Sequence, residues 1–275
     1  MDCKQDRIVT LLDFETHLKQ TAESAAELAG KELLRVFKEG RISVKRKFDY
    51  PGSIVTNADT IAERIILSRL RKSGIRSTVI SEETGKVDFG SKEVLWAVDP
   101  LDGTMNYAKR IPYFAVSIGC IFKGRPVAGV IYNPVLDEMF TAALGAGAFL
   151  NGKRIHVSRT KSLRGASLVF EWWNHEPLIP DPLALEKQLF RFTRRVRSPG
   201  SVAMNLCTVA LGRFDGLITV FQRSPVYEIA AGCLIVEEAG GRVTNSGGGD
   251  WSTFKGSVIA ANEAVHSRIL SLITR

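Results

Sequence analysis

Apolar side chains recur at steps of three and four residues along the first forty positions. They include Phe14, Leu18, Leu33 and Phe37, and the pattern ends at Gly40. This spacing places the apolar residues on one face of a helix, so it predicts a long amphipathic helix that ends near the glycine.

A second helix is predicted after residues 41–52, a basic and irregular stretch that we interpret as a loop or a frayed hairpin. Thr56 or Asn57 is suited to cap this helix, because its side-chain oxygen can accept hydrogen bonds from the free amides of the first turn. Asp59 lies in that first turn, where the helix dipole stabilises a carboxylate. The helical pattern continues to Gly74.

Short apolar runs at residues 77–81 and 94–98 predict two strands. Residues 114–155 alternate apolar runs with turn signals, of which Asn151-Gly152 is the strongest, and they predict a meander of antiparallel strands. After residue 161, strand patterns alternate with helix patterns. That alternation is typical of an α/β arrangement with both faces of the sheet covered.

The predicted fold class is therefore α/β (α+β), divided into two halves. Residues 1–160 would form an antiparallel-rich N-terminal half, and residues 161–275 an alternating α/β C-terminal half.

Composition adds the expected compartment and partners. The 275 residues are 45% hydrophobic, enough for a sizeable core, and carry a net charge of +8. This charge favours anionic partners or simply keeps the protein soluble. Four scattered cysteines have no zinc-ligand spacing and suggest a reducing compartment. The sequence has no long apolar run, so we expect a cytoplasmic protein without a membrane partner.

The most informative stretch is Asp99-Pro100-Leu101-Asp102-Gly103-Thr104, which follows the 94–98 strand. A buried strand that ends in two carboxylates is costly unless cations neutralise them, and Mg²⁺ prefers such oxygen ligands. The amides of Gly103 and Thr104 could face a phosphate, as amides at helix N-termini commonly do. The alternative interpretation is an Asp-rich surface turn.

Other predicted helices and strands also have carboxylates at their ends. Asp59 opens the second helix, Glu82 and Glu83 follow the 77–81 strand, and Glu228 begins a later helix. If these ends meet, five or six carboxylates share one site and cannot all stay ionised without cations. The sequence therefore predicts at least two divalent ions, an arrangement that hydrolyses phosphate esters.

Together these blocks resemble the signatures of the inositol monophosphatase and fructose-1,6-bisphosphatase superfamily. Their order and approximate spacing match over nearly the whole chain, and the short chain is similar to archaeal-type members with both activities. The matching stretches are Val55–Asp59, Ser81–Thr84, Asp99–Thr104, Tyr227–Gly232 and Glu238–Gly241. The resemblance implies a layered αβαβα sandwich, a homodimer, and Mg²⁺-dependent hydrolysis of sugar phosphates.

The resemblance also implies a set of metal ligands, most of them in the N-terminal half. Glu82, Asp99 and the carbonyl oxygen of Leu101 would hold one Mg²⁺, and Asp99, Asp102 and Glu228 would hold a second. Two to three Mg²⁺ are implied for each site, with Mn²⁺ as a substitute and Li⁺ as an inhibitor.

The catalytic residues implied by the resemblance are Thr104, Asp59 and Glu82. Thr104, paired with Asp59, would orient or deprotonate the attacking water. Glu82, with Asp59 as a further candidate, would hold a third and weaker ion. The amides of Gly103 and Thr104 would bind the phosphate.

One ligand departs from the pattern of the inositol monophosphatases, which carry Trp-Asp where this chain has Tyr227-Glu228. The longer Glu228 either damages metal binding or marks the bisphosphatase branch, whose members resemble this chain in using Glu there. We favour the second interpretation, because every other ligand position is intact.

The substrate pocket is implied to lie in the C-terminal half, where Gly200, Ser201 and Val202 resemble the segment that lines the sugar pocket. The acid that inositol enzymes place near the end of the following strand has no counterpart within residues 215–220. Arg223 follows instead and is a candidate for binding a second phosphate, since a guanidinium can form a bidentate pair with phosphate oxygens. The alternative is a solvated loop cation.

We therefore expect a phosphatase for fructose 1,6-bisphosphate, inositol 1-phosphate or both. One alternative is a 3′(2′),5′-bisphosphate nucleotidase of the same family. Another is a non-catalytic relative that binds RNA or a transcription complex through basic clusters such as Lys45-Arg46-Lys47. No RNA-binding motif is visible, so a nucleic-acid partner is not expected.

Overall fold

The computed structural model describes residues 3–47, 53–172, 181–220, 225–253 and 257–273. The α-helices within these ranges are α1 (Cys3–Glu39), α2 (Asn57–Lys72), α3 (Thr104–Ala108), α4 (Pro182–Phe192), α5 (Val202–Ala210), α6 (Val226–Glu238) and α7 (Glu263–Ile273). The strands are β1 (Val44–Arg46), β2 (Ile54–Thr56), β3 (Thr78–Ser81), β4 (Gly85–Asp88), β5 (Val94–Asp102), β6 (Ala115–Phe122), β7 (Arg125–Asn133), β8 (Glu138–Ala143), β9 (Gly147–Leu150), β10 (Lys153–Arg154), β11 (Ser167–Trp172), β12 (Arg195–Arg197), β13 (Gly216–Val220), β14 (Arg242–Asn245) and β15 (Val258–Ala261). No helix of the described ranges is long and apolar enough to cross a membrane.

The strands build two main sheets separated by helices. The larger sheet has the order β10-β9-β8-β7-β6-β5-β3-β4, and the smaller has the order β12-β11-β13-β15-β14. Helices α1 and α2 pack on the outer face of the larger sheet, α5 and α6 lie between the sheets, and α4 and α7 cover the outer face of the smaller one. This arrangement is an αβαβα sandwich, so the expected mixed α/β fold is confirmed.

Side-chain alternation along the strands explains the layers. On β13, Ile218 and Val220 face α4 and α7, whereas Leu217 faces α5 and α6. On β7, Val130 faces α1 and α2 and Ile131 faces the central helices. Successive side chains of a strand point to opposite faces, so strands that are apolar at every position need helices on both sides.

Strand β5 is longer than the sequence suggested, since the 94–98 strand was expected to end in a tight turn. It continues to Asp102, with Asp99 opposite Ser117 and Asp102 opposite Ala115 on β6. Three steps along β5 therefore match two along β6, which is a β-bulge. Bulges re-aim side chains, and this one lies between the two aspartates.

The two sheets also separate along the chain, since the larger ends at Arg154 and the smaller begins at Ser167. The predicted division at residue 160 falls between them. Helices α5 and α6 nevertheless pack against both sheets, so the two halves share a core. The division into two domains stays a prediction.

Helix α6 approaches the larger sheet unusually closely. Gly119 of β6 and Gly129 of β7 are directly paired, and both lie beneath α6. A Cβ atom on Gly129 would lie 2.6 Å from the backbone oxygen of Ala231, and one on Gly119 would lie 2.8 Å from the Cβ of Ala230. The absence of side chains at these two glycines thus permits the short distance between the sheet and α6, the helix that carries Glu228.

We expect Gly129→Ala to destabilise the protein by about 1–3 kcal/mol, because the added methyl group must push α6 away from the sheet. Urea unfolding measures this change. Gly165→Ala is the matched control, since its Cβ would meet no atom nearer than 4.0 Å. Equal unfolding midpoints for the two variants would contradict the packing argument.

Candidate active site

One cleft gathers most of the predicted site residues, and its part lined by described residues encloses about 180 Å³. The predicted residues that line it are Glu82, Asp99, Leu101, Asp102, Gly103, Thr104, Gly200, Val202 and Glu228. Ser53, Ile54, Met105 and Glu171 line it as well, although the sequence did not single them out. Asp59 and Ser201 are buried and hydrogen-bond to lining residues. Arg223 lies outside the described residues.

Parallel pairing of β3 with β5 brings Glu82 next to Asp99. Ser81 is paired with Val98, and the Glu82 amide donates to the Val98 carbonyl at 3.1 Å. Burial raises the pKa of Asp99 well above its usual range, and the charge of Glu82 raises it further. Negative charge therefore accumulates where the two strands end together.

Asp102 is held by the first turn of α5. Its Oδ2 accepts hydrogen bonds from the Ser201 hydroxyl at 2.5 Å and from the Ala203 amide at 2.7 Å. Burial raises the pKa of Asp102 to about 6, although these two hydrogen bonds oppose the shift. These hydrogen bonds hold Asp102, a residue of the N-terminal half, against the segment predicted to line the sugar pocket.

Glu228 lies in the first turn of α6, and its side chain reaches the same cleft. Its Oε2 is fully buried and has no hydrogen-bond partner within the part of the chain that the structure describes. Burial raises the pKa of Glu228 well above its usual range, and the charges of Asp102 and Glu82 add to the effect. A buried oxygen without a partner calls for a compensating cation.

Thr104 and Asp59 form a hydrogen-bonded pair beside these acids. The Thr104 Oγ1 lies 3.0 Å from Asp59 Oδ1 and 2.9 Å from the carbonyl oxygen of Leu101. Asp59 Oδ2 in turn accepts from the amide and hydroxyl of Thr56, which is the N-cap of α2 and one of the two predicted candidates. Burial raises the pKa of Asp59 to about 6. The hydroxyl proton of Thr104 is thus directed into the protein.

The turn between β5 and α3 depends on Gly103. Its φ is +90°, and a Cβ atom there would lie 2.9 Å from the carbonyl oxygen of Tyr113. Only glycine accepts both constraints without strain. The backbone conformation that presents the Gly103 and Thr104 amides is therefore fixed by sequence.

Lys47 supplies a positive charge to the cleft from the β1–β2 hairpin. Its Nζ lies 2.8 Å from Glu82 Oε1 and 2.5 Å from Glu83 Oε1. Burial alone would lower the pKa of Lys47, but these two carboxylates outweigh burial and raise it. The sequence placed Lys47 in a basic cluster suited to phosphate contacts; in the structure it neutralises the acidic pair instead.

Glu63, which the sequence analysis did not single out, anchors the turn that carries Glu82 and Glu83. It is buried and accepts hydrogen bonds from the Ser81 hydroxyl, and from the amide and hydroxyl of Thr84 at 2.9 and 2.5 Å. A sequence signal was present, because Glu63 interrupts the apolar face of α2 between buried positions.

The donor set fits a hard divalent cation such as Mg²⁺, because every candidate ligand in the cleft is an oxygen and most are carboxylates. The partnerless Oε2 of Glu228 supports the same assignment. Within the described ranges, however, no three acidic, His or Cys side chains already stand at metal-ligand spacing. Lys47 Nζ lies 2.8 Å from Glu82 Oε1, one of the candidate ligands.

Comparison with known proteins agrees with this geometry. The model of the family described as "Inositol monophosphatase family" matches residues 15–275. A relative from Pasteurella multocida, described as Nus factor SuhB, is 36% identical over 250 residues, which cover 90% of this chain and 92% of the relative.

Solved structures are similar as well. Extragenic suppressor protein suhB from Bartonella henselae has a TM-score of 0.86 and 35% identity, covering 94% of this chain and 98% of the other. Inositol monophosphatase from Anabaena has a TM-score of 0.82 and 33% identity, with coverage of 94% and 96%. The chain belongs to the inositol monophosphatase family.

Proposed function

We propose that this protein is a Mg²⁺-dependent phosphatase that hydrolyses the phosphate monoester of a small polyol. The observation that carries the proposal is the Thr104–Asp59 hydrogen bond in the same cleft as Glu82, Asp99, Asp102 and Glu228. An oriented hydroxyl beside a set of cation-binding oxygens is suited to the attack of water on a phosphate.

The proposed metal ligands are Glu82, Asp99, the Leu101 carbonyl oxygen, Asp102 and Glu228. Divalent ions bound there would neutralise the phosphate and lower the pKa of water. The longer Glu228 keeps a carboxylate at the position where inositol monophosphatases carry Asp, and this favours an enzyme over a non-catalytic relative.

The chain's own groups would orient the reactants. Thr104 donates its proton to Asp59 or to Leu101, so its oxygen can accept a hydrogen bond from a water molecule in the cleft. Asp59, held by Thr56, would stabilise the hydroxyl as it takes up positive character. The Gly103 and Thr104 amides would bind phosphate oxygens.

The lining favours a substrate with one phosphate. Among the described residues that line the cleft there is no Lys, Arg or His. Lys47, the cation described beside the cleft, is already paired with Glu82 and Glu83. The described residues at the cleft therefore offer no unpaired cation to a second phosphate, and we propose inositol 1-phosphate ahead of fructose 1,6-bisphosphate. A role of Arg223 in binding a second phosphate stays a prediction, as do the homodimer, Mn²⁺ substitution and Li⁺ inhibition.

A nucleotide substrate is less well supported. The described lining residues include no aromatic side chain on which an adenine could stack.

Phosphate release with Mg²⁺ tests the proposal directly. We expect the wild-type protein to release phosphate from inositol 1-phosphate faster than from fructose 1,6-bisphosphate or adenosine 3′,5′-bisphosphate. Asp99→Asn should reduce the rate at least about 100-fold, because metal stabilisation of the transition state is worth several kcal/mol. Glu93→Gln, an exposed carboxylate change, is the control. Asp99→Asn with wild-type turnover would refute the assignment of the site.

Lys47 should weaken cation binding, because its ammonium group occupies Glu82. Lys47→Gln removes that competitor, worth about 1 kcal/mol, so the Mg²⁺ concentration for half-saturation should fall about fivefold in titration calorimetry. Lys45→Gln is the matched control, two residues away in the same hairpin, since Lys45 makes no ion pair within the described ranges. Unchanged Mg²⁺ affinity in Lys47→Gln would contradict the competition.

A further inference from the structure

Glu171 is a charged residue of the cleft that the proposed mechanism does not use. It lies near the end of β11, is 8% exposed, and lines the cavity together with the proposed metal ligands. Its position follows an apolar run, Leu168–Phe170, whose side chains are all buried. An acid retained at the end of such a strand needs a reason, because burying a carboxylate is costly.

The hydrogen bonds of Glu171 keep it an acceptor. Oε1 accepts from the Gly200 amide and from Asn205 Nδ2, both at 2.8 Å, and Oε2 accepts from the Ser198 hydroxyl at 2.9 Å. All three donors are neutral. A carboxylate offers about four acceptor positions, so Oε2 retains one for a ligand.

The register of the smaller sheet places Glu171 beside the segment that was expected to carry an acid. Strand β11 pairs in parallel with β13, and Glu171 stands directly opposite Thr219. Residues 215–220 are the segment in which the acid expected near the sugar pocket is missing. A carboxylate therefore stands at the same level of the sheet, on the neighbouring strand.

We propose that Glu171 accepts a hydrogen bond from a hydroxyl group of the substrate's alcohol portion and selects polyol monophosphates over bisphosphates. This inference rests on the proposed phosphatase function. An acceptor-only anion rewards a hydroxyl donor and repels a phosphate at the same place. Sites that hydrogen-bond a substrate hydroxyl discriminate strongly against analogues that lack it.

A wild-type experiment tests the contact without any variant. We expect inositol 1-phosphate analogues that each lack one hydroxyl to include at least one whose kcat/KM is about ten- to hundredfold lower, as for a lost hydrogen bond to a charged group. Equal kcat/KM for all the analogues would overturn the proposal.

Glu171→Gln then identifies the residue that makes the contact. Glutamine keeps an oxygen for Gly200 and Asn205 but loses the charge. We expect KM for inositol 1-phosphate to rise about tenfold with little change in kcat. On the sensitive analogue, Glu171→Gln should raise KM about tenfold less, because the substitution and the missing hydroxyl remove the same interaction. The preference for inositol 1-phosphate over 4-nitrophenyl phosphate should fall by a similar factor. Glu93→Gln is the control.

Two results would separate the possible failures. A merely structural Glu171 would lower kcat/KM equally for inositol 1-phosphate, the sensitive analogue and 4-nitrophenyl phosphate, which overturns the proposal while the phosphatase function stands. Absence of Mg²⁺-dependent phosphate release from all three in the wild-type protein would overturn the proposed function and this inference together.

Discussion

Concentrated negative charge in a partly buried cleft is the constraint on which this structure depends. Parallel pairing of β3 with β5 forces Glu82 against Asp99, and the bulge in β5 adds Asp102. Two neighbouring elements place a donor or a cation beside that charge. Helix α5 supplies a hydroxyl and an amide, and the β1–β2 hairpin supplies the Lys47 ammonium. Glu228 brings a further carboxylate, and its Oε2 has no partner among the described residues.

Much of the fold could be predicted from sequence because its signals are local. The three- and four-residue spacing before Gly40, the Thr56 cap and the apolar runs of the meander each depend on neighbouring residues alone, and α1, α2 and β6–β9 follow them. The β5 bulge could not be predicted in this way, because it depends on how Asp99 and Asp102 pair with another strand.

The cleft residues that the sequence singled out lie in short motifs or at the ends of predicted helices and strands. Asp99, Asp102 and Thr104 stand within six positions, and they line one cleft. Lys47 and Glu171 belong to no sequence motif. Lys47 binds Glu82, 35 positions away, and Glu171 lies opposite Thr219 on an adjacent strand, so neither relation is visible in the sequence. Glu171 still left a trace in the sequence, because an acid at the end of an apolar strand indicates a buried polar contact.

The hydrogen bonds between Asp102 and the first turn of α5 span 99 and 101 positions of the chain. During synthesis on the ribosome, Asp102 therefore emerges long before Ser201 and Ala203, and Glu228 follows later still. Asp102 cannot form these hydrogen bonds until Ser201 and Ala203 have been synthesised. The proposed metal site is therefore complete only after α6 has been synthesised, and a chain that stops before α5 lacks both Glu228 and the donors that hold Asp102.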